Sequence, residues 1–94
     1  TLPAIQRDIA VVLDRQVPWC DMEVAIRAAA PAGLLESVQF FDLYEGKGIP
    51  AGKKSIAFSI TLRSPERTLT SDEADKAVQA VVSSLSQKFQ AVQR

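Results

Sequence analysis

Four side chains of this sequence are expected on one face of a β-sheet, where a flat ligand could lie. Asp42 and Tyr44 are two residues apart in one alternating segment, Ser55 opens a second such segment, and Ala10 lies near the start of the chain. Residues two apart in a β-strand share one face of the sheet. A sheet face of small and polar residues, with one acid and one phenol ring at its edge, is a flat platform on which a planar group could lie.

The segments that carry these residues predict a β-hairpin between Val38 and Arg63, connected by the loop 45–54. Its second strand alternates strictly, which is typical of a strand with one buried face. Phe41 and Leu43 on the first strand are expected on the apolar side, which leaves Asp42 and Tyr44 on the other. On the second strand the apolar side carries Ile56, Phe58, Ile60 and Leu62, and the small, polar side carries Ser55, Ala57, Ser59, Thr61 and Arg63.

The rest of the chain predicts the elements that position this hairpin. Strand one is expected at 7–14, helix one at 19–30, helix two at 71–88, and a short last strand within 90–94. Thr70 and Glu73 have the spacing of a capping box at the start of helix two. This order predicts an α+β, ferredoxin-like βαββαβ fold, a four-stranded antiparallel sheet with both helices on one face.

The same alternation predicts which residues lie on each face of the sheet. The covered face is expected to carry Ile9, Val11, Phe41, Leu43, Ile56, Phe58 and Ile60, and the open face Ala10, Asp42, Tyr44, Ser55, Ala57 and Ser59.

Composition limits the functional classes. The 94 residues predict a single domain over 1–94, and a formal charge of zero argues against gripping nucleic acid by bulk electrostatics. The absence of histidine and the single cysteine exclude a histidine-based triad and an internal disulfide, and predict no metal site. No apolar run approaches the ~20 residues of a membrane span. We expect a cytoplasmic protein and, because the sequence starts at Thr1 without Met, a fragment of a longer chain.

Four linked motifs of this sequence resemble one family: 7–10, 41–46, 50–58 and 67–70, with the residues RDIA, FDLYEG, PAGKKSIAF and RTLT. They are similar to the ferredoxin-fold anticodon-binding domain at the C-terminus of the bacterial phenylalanyl-tRNA synthetase β subunit. The resemblance implies a non-catalytic module that binds the anticodon region of tRNA(Phe), with neither membrane nor DNA as a partner. It also implies partnership with the rest of the β subunit and with the α subunit in an α2β2 ligase. The ATP and Mg²⁺ of that ligase are expected to bind elsewhere, and no cofactor is expected here.

The resemblance also implies site residues. The first anticodon base, a guanine, is expected to stack on Tyr44, with Asp42 reading its edge, Ser55 supplying a hydroxyl and Ala10 forming the floor. Each role has a physical reason, since an aromatic ring stacks a splayed base and a carboxylate accepts both the N1–H and the amine of guanine. On pattern alone, Tyr44 could instead pack the sheet edge, and Asp42 could accept a hairpin hydrogen bond or pair with a lysine.

Further cations are secondary candidates for RNA contact. Each has a structural alternative, because loop lysines are usually only solvated and Arg7 could form an internal ion pair. These candidates are Arg7, Lys53, Lys54 and Arg63, with Lys47 in the loop.

Two other functional classes remain open. A protein-interaction or small-molecule regulatory domain is compatible with the same fold, because a fold does not determine a function. Such a domain is expected to expose large apolar residues on the sheet, where this sequence offers serine, alanine and threonine. An enzyme is the weakest alternative, since no paired nucleophile and base or phosphate-cradling glycine loop is found.

Overall fold

The computed structural model describes residues 3–31 and 33–94. The predicted order of elements is confirmed, with bounds that differ from the predicted ones by a few residues. In chain order the elements are β1 (Ile5–Asp14), α1 (Trp19–Ala29), β2 (Leu35–Tyr44), β3 (Lys53–Leu62), α2 (Ser71–Phe89) and β4 (Val92–Gln93).

The four strands form one sheet in the order β2-β3-β1-β4, and all neighbours are antiparallel. One face of the sheet packs with both helices into the core, as a ferredoxin-like α+β fold requires. The sheet contributes alternate residues of β1 and β3, and the helices contribute their apolar stripes. The buried residues are Ile9, Val11, Leu13, Ile56, Phe58, Ile60 and Leu62 from the sheet, and Met22, Ala25, Ile26, Ala74, Ala77, Val81 and Leu85 from the helices.

Helix α2 begins with the predicted capping box. The Thr70 hydroxyl accepts a hydrogen bond from the Glu73 N–H at 3.2 Å, and the Glu73 carboxylate accepts one from the Thr70 N–H at 3.1 Å. The same carboxylate also binds the Arg67 guanidinium. The hydrogen bond from Arg67, followed by the one from Thr70, lowers the pKa of Glu73 to about 2. Glu73 therefore stays ionised and keeps accepting the hydrogen bond from the Thr70 N–H at the start of the helix down to strongly acidic pH.

Strand β2 contains a β-bulge that changes the predicted pattern. Phe40 pairs with Phe58 and Asp42 pairs with the next residue of β3, Ala57, so Phe41 is an extra residue without its own partner. Phe41 was expected on the covered face, but the bulge makes Phe40 the residue that pairs with Phe58 there, and Phe41 is 54% exposed and outside the buried core. Leu43 does pair with Ile56 on the covered side, yet it is 42% exposed because β2 is an edge strand.

A left-handed residue directs the chain from α2 into β4. Gln90 has φ 55°, and its N–H donates to the Ser86 carbonyl at 2.9 Å, which closes the helix end. The chain then runs antiparallel to β1, with Val92 opposite Val12. The N–H of Arg94 donates to the Ala10 carbonyl at 2.8 Å, so Arg94 lies beside Ala10 at the edge of the sheet.

Candidate nucleic-acid interface

The sheet register brings the four sequence-predicted residues together on the face opposite the core. Ala57 of β3 pairs with Ala10 on one side and with Asp42 on the other, and Ser55 pairs with Tyr44. These two neighbouring rows form what we call the platform: Ala10, Asp42, Tyr44, Ser55 and Ala57. With strands about 4.8 Å apart and same-face residues about 7 Å apart, the platform spans roughly 10 by 7 Å. A flat fused ring can lie on a surface of this size.

The small side chains of the platform result from its register. Ala10 and Ala57 are directly opposite each other, so in that row no side chain longer than a methyl group rises between β1 and β3. The next same-face row contains Ser59, which is buried and whose hydroxyl has no hydrogen-bond partner among the described residues. The open face is therefore flat around Ala57, and it is no longer accessible to solvent at Ser59.

Tyr44 and Asp42 are the exposed polar members of the platform. Tyr44 is 43% exposed, and its hydroxyl donates to the Lys47 carbonyl at 2.8 Å. The phenol ring is therefore not part of the core. Asp42 is exposed, and its Oδ1 accepts a hydrogen bond from the Leu43 N–H at 2.9 Å. Since each carboxylate oxygen has two acceptor positions, Asp42 retains the capacity to accept donors from a ligand.

Arg94 is a site residue that the sequence analysis did not identify. Its Nη1 donates to the Ser55 Oγ at 3.0 Å, and Ser55 is only 4% exposed beneath this contact. Arg94 and the platform together line a shallow pocket of about 90 Å³. The position of Arg94 depends on how β4 pairs with β1. The sequence of a two-residue strand does not indicate that register.

Two of the secondary candidates lie on the wrong face of the sheet. Lys54 is 5% exposed on the covered side, where its ammonium donates to the Val17 carbonyl. Arg7 pairs with Ile60 on that same side, and its Nε binds Asp75 of α2 at 3.2 Å. Both were expected as secondary RNA-contact candidates, and the structure places neither of them on the platform: both side chains have partners within the fold.

The remaining cations differ in their distance from the platform. Lys53 is two residues from Ser55 on the same face, so it adjoins the pocket. Arg63 is eight residues from Ser55, roughly 27 Å along the strand direction, and its Nε lies 3.0 Å from the Glu36 carboxylate. Lys47 is exposed in the β2–β3 loop. The structure therefore brings Lys53 and Lys47 near the platform and leaves Arg63 remote from it.

In the part of the chain that the structure describes, no group of three or more His, Cys, Asp or Glu side chains is arranged to hold a metal ion. Within residues 3–31 and 33–94, no helix is long and apolar enough to cross a membrane.

Comparison with known proteins gives one consistent result. A family model described as the ferredoxin-fold anticodon binding domain matches residues 1–94. The phenylalanine–tRNA ligase beta subunit of Shouchella clausii is 45% identical over 92 residues, which cover 98% of this chain and 11% of that protein. The Streptomyces avermitilis subunit is 45% identical over 82 residues, which cover 87% of this chain and 10% of that protein. The Bacillus subtilis subunit is 44% identical over 92 residues, which cover 98% of this chain and 11% of that protein. The chain spans about a tenth of the length of these curated relatives.

Proposed function

This chain belongs to the ferredoxin-fold anticodon-binding domain family, and on that premise we propose that it binds the anticodon region of tRNA(Phe) as a module of a phenylalanine–tRNA ligase β subunit. The module selects the substrate and does no chemistry itself. In this proposal, ATP and Mg²⁺ bind in another part of the ligase, an α2β2 assembly in the cytoplasm. The relatives carry this domain as about a tenth of their length, which leaves ample chain for catalysis elsewhere.

The observation that carries the proposal is the convergence of an acid, a phenol ring and a guanidinium on one small-residue surface. Asp42, Tyr44 and Arg94 all line the same pocket, with Ala10 and Ala57 as its floor. Single-stranded bases are recognised by stacking on aromatic rings and by hydrogen bonds to their edges. The pocket offers both kinds of contact within the dimensions of one base.

We propose that this base is the guanine at the first anticodon position. Tyr44 stacks on its ring, a contact worth about 1–3 kcal/mol. Asp42 accepts the N1–H and the exocyclic amine, a pair of donors that adenine lacks. The Arg94 guanidinium, held by Ser55, is placed to donate to the base or to its phosphate, and neutralises the charge that a phosphate brings.

The affinity of the isolated chain is expected to be low. The net charge is zero, Arg94 lines the pocket, and Lys53 lies one position beyond Ser55 on the same face. Because affinity for nucleic acid depends strongly on the number of phosphates neutralised, we expect a Kd on the order of 10⁻⁴ to 10⁻⁶ M. Nanomolar binding would contradict this account of the interface.

A contact with another protein is a second candidate function, and one observation favours it. Phe40, Phe41 and Leu43 are large, apolar and 42–54% exposed on the edge strand β2. Exposed apolar clusters of this kind are typical of protein interfaces. They do not belong to the platform, so such a contact and RNA binding are compatible.

The test is an NMR titration of this chain with an RNA hairpin that carries the tRNA(Phe) anticodon. Shifts are expected at Ala10, Asp42, Tyr44, Ser55 and the Arg94 side chain, whereas shifts confined to the helices would refute the site. In the complete ligase, Tyr44→Ala is expected to raise the KM for tRNA with the fold intact. Unchanged charging kinetics in a folded Tyr44→Ala enzyme would refute the stacking role.

A further inference from the structure

The side chain of Tyr44 is fixed at its backbone end by the sheet and at its hydroxyl end by a hydrogen bond. Its backbone pairs with Ser55 in the sheet, and its hydroxyl donates to the main-chain carbonyl of Lys47 at 2.8 Å. The acceptor belongs to the backbone of the β2–β3 loop and not to a side chain. The position of the ring therefore depends on the conformation of the loop.

The loop conformation that presents this carbonyl depends on a glycine. The N–H of Ile49 donates to the Gly46 carbonyl at 2.9 Å, which closes a four-residue turn with Lys47 and Gly48 at its centre. Gly48 has φ 89°, the value that a type II turn requires at its third residue. In a type I turn the central peptide, which contains the Lys47 carbonyl, is rotated by about 180°. The orientation of the acceptor is thus determined by the positive φ of Gly48.

We propose that the turn 46–49 positions the Tyr44 ring before RNA binds, through the Lys47 carbonyl, with Gly48 as the residue that determines the orientation of that carbonyl. This inference rests on the proposed function, because it assigns the turn a role in base stacking. A ring that is already ordered loses less conformational entropy when a base stacks on it. Loss of this ordering is expected to weaken RNA binding about two- to tenfold.

The structure provides a substitution that changes the turn without creating a clash. A Cβ added at Gly48 meets no atom within 4 Å, so Gly48→Ala acts through the backbone conformation alone. An L-residue disfavours positive φ, and the turn is expected to shift towards type I. Gly33→Ala is the matched control, because Gly33 has φ 79° and also has nothing within 4 Å of an added Cβ, but lies in the α1–β2 connection.

Tyr44 is the only tyrosine in the sequence, so ring-¹³C tyrosine labelling gives the signals of one residue. Without RNA, the order parameter of the ring is expected to fall in Gly48→Ala and to stay unchanged in Gly33→Ala. Lys47→Ala, which retains the carbonyl, is also expected to leave ring order unchanged. With the anticodon hairpin, Gly48→Ala and Tyr44→Phe are both expected to bind two- to tenfold more weakly than the unsubstituted chain, and Gly33→Ala with equal affinity.

The outcomes separate this inference from the function on which it rests. Unchanged ring order in a folded Gly48→Ala chain, or full hairpin affinity in Tyr44→Phe, would overturn the positioning role. An equal loss of ring order or affinity in Gly33→Ala would also overturn it, since the effect would then be one of general stability. If the unsubstituted chain failed to bind the hairpin at all, the proposed function would fail, whatever the order of the ring.

Discussion

If the proposed function is right, Asp42→Asn is expected to remove a preference for guanine at the first anticodon position. In the structure, Oδ1 of Asp42 accepts a hydrogen bond from the Leu43 N–H. An asparagine at this position would keep that bond through its amide oxygen, which turns its NH₂ group towards the pocket. One of the two donors of guanine would then face the NH₂ donor instead of an acceptor oxygen.

The magnitude follows from the pair of hydrogen bonds that is lost. A bidentate contact of this type discriminates between bases by about 1–3 kcal/mol, which corresponds to a factor of about 5 to 150 in relative affinity. Because the asparagine both loses an acceptor and presents a donor, we expect an effect in the upper half of this range. Affinity for the guanine hairpin falls, while affinity for an adenine hairpin falls little or not at all.

The assay is a pair of titrations with hairpins that differ only in that base, carried out at one salt concentration. Asp8→Asn is the matched control, since Asp8 pairs with Ser59 on the same face of the sheet, one row or roughly 7 Å beyond the platform. A guanine-to-adenine affinity ratio that is unchanged in folded Asp42→Asn would refute base reading by this carboxylate. If Asp8→Asn changed the guanine-to-adenine affinity ratio equally, the effect of Asp42→Asn would be one of general charge.

Two further predictions concern the stability of the fold that carries the platform. Leu85→Ala removes a fully buried side chain of α2 and is expected to lower the free energy of unfolding by about 2–5 kcal/mol in urea denaturation; a loss below 1 kcal/mol would contradict the packing described. The folded-state pKa of Glu73 is about 2, below its ordinary value of 4.5. The ionised carboxylate therefore contributes fully to the free energy of unfolding above pH ~4.5, and this contribution is lost as the pH falls towards 2. Thermal denaturation of Glu73→Gln is therefore expected to depend less on pH in that interval than denaturation of the unsubstituted chain, and identical pH profiles would exclude the role of Glu73.

Features governed by local rules could be predicted from the sequence. The capping box of Thr70 and Glu73 needs only residues three positions apart, and both reciprocal hydrogen bonds form. The strict alternation of β3 correctly places Ser55 and Ala57 on the face opposite Ile56 and Phe58. Their grouping with Ala10 and Asp42 follows from this alternation as soon as the strand order is known.

The position of Phe41 could not be predicted in this way, because a bulge is a property of two strands. Phe40 and Phe41 are identical residues in sequence, and only the pairing with β3 distinguishes the one opposite Phe58 from the extra one. The alternation counted from Leu43 is right for Asp42 and Tyr44, which follow the bulge. It fails as soon as the count crosses the bulge.

The location of Lys54 and Arg7 away from the platform has a different origin. Lys54 is two residues from the buried Ile56, and Arg7 is two residues from the buried Ile9. The alternation of the strands therefore assigns both cations to the covered face. The position of Arg94 in the pocket, in contrast, depends on the turn at Gln90 and on a ladder of two residues. No local pattern encodes that arrangement.

The extra residue in β2 determines how related sequences should be aligned with this one. If Phe41 were missing, Phe40 would still pair with Phe58 and Asp42 with Ala57, so every other residue would keep its face. A one-residue gap is therefore neutral for side-chain orientation at this position of β2. Within the regular ladder that follows, the same gap would exchange the two faces and move an aliphatic side chain to the place of the acid. Homologues that differ by one residue in the middle of this strand are best aligned with the gap opposite Phe41. Near the start of the strand, the second register shift, between Leu35 and Ser37, makes Glu36 the equivalent position.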